Sequence, residues 1–227
     1  MRKINTIIKH LKTILVHKFW VFYYCCKLGI IWQGITHDLS KFSLTEFKES
    51  IRFFQGGKAS PIPAAKKEQG YSLAWQHHKG RNPHHYEYWT DNYDSGTTFI
   101  KMPYKYVLEL VADYLAAGKT YNGKNFTVKQ EIDWWESCKD GKAINKETKN
   151  LISEIFEIID KEGFSHLRKI NNILKNKYIM VLTIKFNDEG WRIETRNIEG
   201  VSDLTLFADG EQVFHGRYGE LVKKLKG

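Results

Sequence analysis

The sequence predicts a mainly α protein, a helical bundle with a small β-rich region at its C-terminal end. Two observations carry this reading. Residues 1–177 contain apolar residues recurring three and four apart, punctuated by a Ser cap and Gly stops, whereas residues 178–227 switch to short strand-like runs rich in β-branched and aromatic side chains. A chain of 227 residues with 42% hydrophobic content also has enough apolar mass to fill one sizeable core with an appendage.

The first helix is expected over residues 4–28 and stops at Gly29, and a short apolar segment, residues 30–35, then delivers His37 and Asp38. Ser43-Leu44-Thr45-Glu46 reads as a capping box, in which Ser43 and Glu46 bond each other's amides, so a helix should run to about Phe54 before Gly56-Gly57. Pro61, Pro63 and several lysines make residues 58–70 read as a long surface loop able to act as a lid. A short helix follows over residues 72–79. Pro83 and the polar segment 91–98 interrupt the chain before a strong helix over 103–117, closed by Gly118. Two further helices are expected, over 128–137 and 146–161. Strands are expected over 179–186, 191–197 and 204–207, with turns at Asp188-Glu189-Gly190 and Asp209-Gly210.

Thirty-five Lys and Arg against 26 Asp and Glu give a formal charge of +9, which favours anionic partners such as phosphorylated small molecules, nucleic acid or an acidic membrane. Cys25, Cys26 and Cys138 are odd in number and lack the spacing of a disulfide framework or a zinc finger, which fits a reducing cytoplasm. The aromatic N-terminal helix is too short for a transmembrane segment: Lys12 and Lys27 bracket about 14 residues where roughly 20 are needed, leaving interfacial membrane contact as the membrane option.

Six of the nine histidines fall between His17 and His85, a crowding that packing alone seldom produces. His37-Asp38 aims an imidazole and a carboxylate from one turn. Lys41, three residues on, offers a point charge for a phosphate. His77-His78-Lys79-Gly80-Arg81-Asn82-Pro83-His84-His85 packs four imidazoles, an Arg and an Asn into nine residues. Adjacent helical side chains point about 100° apart, so one histidine of each pair is expected to ligate and the other to bind substrate or a ligand's far side. Asp113 lies in an otherwise apolar helix, where a metal would compensate its burial. Glu109 sits one turn earlier on the same face, as a rival ligand, a general base or an outer hydrogen-bond partner.

The order His17, His37-Asp38, a later histidine group and Asp113 resembles the HD-domain superfamily, whose members bind one or two metals within a helical bundle, and His37 to Lys41 looks like its HD-x-x-K variant. The chain is more closely similar to a phage and bacterial family marked by HDLSKF, AWQHHKGRNPHH and VLELVADYLAAGK, a match over roughly residues 10–120 that lacks the Gly-Tyr-Pro signature of better-known branches. The resemblance implies a ligand set of His17, His37, Asp38, one of His77 or His78, one of His84 or His85, and Asp113. It also implies one or two divalent transition metals drawn from Mn, Fe, Zn, Ni or Co.

Most of the superfamily are phosphohydrolases, so the expected activity is hydrolysis of a nucleotide or other phosphorylated small molecule by a metal-activated water. In that scheme Lys41 and Arg81 bind phosphate, Asn82 and Tyr86 contact substrate, Glu109 or a spare histidine moves protons, and Tyr86, Trp89 or Tyr104 stacks a base. The alternatives are an HD-fold di-iron oxygenase and a non-catalytic nucleotide or nucleic-acid binding protein. The β-rich region is free to cover the site, to mediate homo-oligomer formation or to recruit a partner.

Overall fold

A computed structural model describes the side chains of residues 4–178 and, beyond these, the backbone of residues 2–3 and of four strands between 180 and 216. The chain is mainly helical and divides into two compact units, Met1–Ile170 and Asn171–Gly227. The division falls inside the last helix, Lys146–Tyr178.

In the first unit α1 (Arg2–Leu28) packs along α6 (Tyr104–Asn122), and α2 (Ile31–Thr36) folds back onto α1. Val21, Cys25 and Leu28 of α1 are buried, as are Val107, Val111, Leu115 and Ala116 of α6. The return of α2 requires a close approach at Gly34. A Cβ there would lie 2.9 Å from Cys25 Cβ and 3.0 Å from Phe22 Cα, so any larger residue would push the His37-Asp38 turn away from α1.

Helix α3 (Leu44–Arg52) packs on α5 (Leu73–Arg81), and each starts at a Ser cap: Ser43 Oγ accepts from the Glu46 amide and Ser72 Oγ from the Trp75 amide. Residues 58–70 are not the loop expected from their prolines. They form α4 (Pro61–Gln69), capped by Ser60 and ended by Gly70 at φ 82°. Proline breaks a helix by lacking an N–H, but in the first turn that N–H has no intrahelical acceptor, so Pro61 and Pro63 are tolerated where they stand.

Gly118 likewise fails to end α6, which continues to Asn122. Its missing side chain serves packing instead: a Cβ would stand 2.5 Å from Phe126 Cε2 and against the Glu131 carboxylate. Segment 91–98 is a hairpin, β1 (Thr90–Tyr93) with β2 (Gly96–Phe99). Helix α7 (Val128–Cys138) opens with a complete capping box at Thr127, and α8 (Lys146–Tyr178) runs beyond residue 161 across a break at Gly163, where φ is 77°.

In the second unit β3 (Met180–Asn187) pairs antiparallel with β4 (Gly190–Asn197), and β5 (Leu204–Ala208) pairs with β6 (Glu211–Gly216), close to the expected strands. Residues 188, 189, 209 and 210 of the expected turns lie outside the described residues.

The α1–α3 contact buries His10 against Phe47 and Phe54, with ring centroids 5.4 and 5.3 Å away and neither ring nitrogen hydrogen-bonded. Burial first, and then the charge of Lys41, lowers its pKa from 6.5 to about 4. Between those values the unfolded chain holds a proton that the folded chain refuses. Stability therefore falls as the pH drops below about 6.5 and levels off below about 4, a loss of roughly 3 kcal/mol in full. His10→Leu is expected to remove this part of the acid sensitivity, measured by urea melts of metal-free protein at about pH 7 and pH 5.

Candidate metal centre

The chain turns at Asp38, the one non-glycine residue with positive φ among the described residues (φ 54°, ψ 30°). Aspartate tolerates this left-handed conformation better than most residues, and its cost is characteristic of functional sites. The turn lets two successive side chains face one pocket, which neighbours in a regular helix or strand do not do. Lys18, from the turn of α1 that carries His17, pins the same segment by donating to the carbonyls of Ile35 (2.7 Å) and His37 (2.8 Å).

Asp38 is buried, and its two oxygens face different groups. Oδ2 lies 3.1 Å from His37 Nε2 and 3.8 Å from His17 Nε2, and Asp113 Oδ1 closes this group at 3.0 Å from His17 Nε2 and 3.5 Å from His37 Nε2. Oδ1 lies 3.3 Å from His78 Nε2 and 3.4 Å from His84 Nε2, and His85 completes that second group. In each group one atom from every side chain falls within 4.8 Å of the others, so each can hold a metal ion, with Asp38 common to both.

Most of the inward atoms are close together without hydrogen bonds. Asp38 Oδ1 and Nε2 of His17, His37, His84 and His85 are buried without a hydrogen-bond partner, and Asp38 Oδ2 pairs with the Lys41 ammonium at 2.5 Å. Leaving that many polar atoms orphaned would be costly in a packed interior. Their convergence on common points fits a metal rather than one another.

The outward nitrogens of His37, His78 and His84, by contrast, are occupied. Glu109 Oε1 lies 3.0 Å from His37 Nδ1 and 3.2 Å from His84 Nδ1, while the carboxylate of Glu46 takes His78 Nδ1 at 2.8 Å and His77 Nδ1 at 2.7 Å. An Nδ1–H held by a carboxylate leaves the Nε2 lone pair pointing inward, as a metal-binding imidazole requires.

The electrostatics of the metal-free pocket follow from its crowding. Burial opposes charge on Asp38 and Asp113, but the first is held well below the usual carboxylate range by His37, Lys41 and His78, and the second by His17 and His37. Burial also opposes a charged His37, yet Asp38, Asp113 and Glu109 outweigh it and hold its pKa well above 6.5. His17 is lowered by burial and then by Lys41, and His85 by burial and then by His84 and His78. His17 and His85 therefore present free lone pairs near neutrality, whereas a metal reaching His37 must displace a proton.

The remaining site residues fall into distinct places. His77, more exposed than His78, stands outside both groups on Glu46. His84 and His85 enter one group together because they follow the end of α5 at Arg81, so helical spacing does not separate them. Glu109 faces the outer nitrogens of His37 and His84, and these three side chains form a third group whose atoms lie within 4.8 Å of one another and could hold a metal. The amide of Asn82 is spent on Ser40 Oγ (2.8 Å) and the His78 carbonyl (2.7 Å), which makes it a clamp for the histidine segment.

Arg81 is exposed and lines, with Thr36, Leu39, Ser40, Ser43, His77 and Asn82, a cleft of about 450 Å³. Tyr104 is buried in the core, which leaves its ring no room to stack a base, whereas Trp89 is half-buried and its Nε1 donates to the Pro83 carbonyl (2.6 Å). Tyr86 is half-buried beneath Lys142. Glu46 was missed as a site residue. Its local pairing with Ser43 accounts for its place in the sequence, and only its partners more than 30 residues away reveal the second role.

Fold and site together define a mainly helical protein with a buried His/Asp cluster able to hold metal. Residues 6–158 match a family of unknown function (DUF5662), and the chain belongs to that family. The matched span contains every residue of the two groups and both outer carboxylates. No curated protein and no solved structure matches the chain.

Proposed function

We propose that the protein is a metal-dependent phosphohydrolase acting on a nucleotide or another phosphorylated small molecule. The observation that carries the reading is Asp38, a buried carboxylate whose two oxygens each face a separate set of unpartnered ligand atoms. A pair of divalent ions bound there supplies a water of lowered pKa and neutralises phosphoryl oxygens.

The protein's own residues do the rest. His17, His37, Asp38 and Asp113 hold one position, and Asp38, His78, His84 and His85 hold the other. Glu109 and Glu46 fix the ring orientations. Lys41 keeps N–H donors beyond the one committed to Asp38, so it places positive charge beside the metals, and Arg81 gives the neighbouring cleft an anion-binding wall.

The position of Lys41 also favours a second reading. Its ammonium rests on Asp38 instead of lining the cleft where a phosphate would enter, which suits an oxygenase with two irons in the same ligand set. Purified protein is assayed for metal content, for orthophosphate release from a panel of nucleotides and phosphate esters, and for dioxygen consumption. A His37→Ala, Asp38→Ala double variant serves as the control. Orthophosphate release that is lost on chelation and restored by metal supports the hydrolase. Two irons with dioxygen consumption establish the oxygenase instead, and nucleotide binding that survives chelation and the double substitution leaves only a binding protein.

A further inference from the structure

Helix α1 carries its two functions on opposite sides. His10, Ile14, His17, Val21 and Leu28 face the interior, while Ile4, Ile8, Leu15, Phe19 and Phe22 recur along the other side and are exposed, Phe19 at 59%. This apolar stripe runs about 27 Å from Ile4 to Phe22. It adjoins α2, which is packed on α1 and exposes Ile31, Ile35 and Trp32, the last at 75%. Surfaces of soluble proteins seldom leave such a patch without a partner.

We propose that this face docks the protein peripherally on an anionic lipid bilayer. The charges of α1 select the occupant. The helix contains six Lys and Arg and no Asp or Glu, so α1 of a second copy would meet like charges, whereas an anionic surface attracts them. Lys12 stands within the apolar stripe and Lys9 along its edge. The long stems of both can lie on apolar surface while their ammonium groups reach lipid phosphates.

The patch also spreads over two helices. It carries Trp32 and Tyr23, side chains suited to the boundary between acyl chains and headgroups. No helix among the described residues is long and apolar enough to cross a membrane, so the contact is interfacial. This inference is independent of the chemistry of the metal centre.

Full-length protein is pelleted with phosphatidylcholine vesicles with and without phosphatidylserine. The expected result is recovery with the phosphatidylserine vesicles, weakened by salt. Lys9→Gln with Lys12→Gln should lower partitioning about fivefold per charge, or about 25-fold together. Leu15→Asp with Phe19→Asp should abolish it while helix content and metal content stay at wild-type levels. Absence of wild-type recovery at low salt overturns the proposal, as does binding indifferent to both pairs of substitutions. A dimer in sedimentation velocity that Leu15→Asp with Phe19→Asp dissociates would also overturn it, assigning the face to a second copy.

Discussion

Asp38→Asn is expected to strip metal from both positions at once. The amide copies the shape of the carboxylate, so the turn at φ 54° and the packing around it are kept, but it replaces one acceptor oxygen by an N–H donor and removes the charge that two ions would share. Both oxygens are committed, Oδ2 toward His17 and His37 and Oδ1 toward His78 and His84, so neither position survives by itself. Loss of an outer partner of a metal ligand already costs about 10- to 100-fold in affinity, and loss of a shared ligand should exceed about 100-fold. His17→Ala should empty only the first position and His85→Ala only the second. Elemental analysis after dialysis distinguishes the three patterns. Retention of one metal by Asp38→Asn would show that the two groups do not share this carboxylate.

The ligands that could be read from the sequence are those whose meaning is local. His37-Asp38 is a dipeptide, Asp113 is a charge in an apolar helix, and His17 takes its significance from the order of the other ligands; the structure brings all four together. The helix start at Ser43 was legible for the same reason, since a cap is decided within four residues. Part of what was missed depends on residues far apart in the chain. Glu46 satisfies a local capping pattern, yet its carboxylate turns to His77 and His78, and only the packing of α3 on α5 makes that possible. Gly118 reads as a stop until Phe126 and Glu131 are seen against it. Pro61 reads as a break until Ser60 is recognised as the cap that makes it a first-turn residue. His84 and His85 were expected to diverge because a helical spacing was applied to residues just beyond the helix end.

Glu109→Gln should weaken both metal positions although Glu109 need touch neither ion. One oxygen serves the outer nitrogens of His37 and His84, which belong to different groups, and the residue is buried one turn before Asp113 on α6. A glutamine oxygen can still accept from both rings, but the negative charge that strengthens those bonds and makes both imidazoles better donors to metal is gone. Metal affinity is expected to fall about 10- to 100-fold at each position. Glu46→Gln provides the contrast. Of its two histidines only His78 belongs to a group, so the second position should weaken while the first is unchanged, and His77→Ala should alter neither by more than a small factor. Competition with a chromophoric chelator reads both affinities in one titration. Equal losses from Glu46→Gln and Glu109→Gln at both positions would mean that the substitutions act through general loosening of the fold, because direct orientation of individual imidazoles requires the two variants to differ.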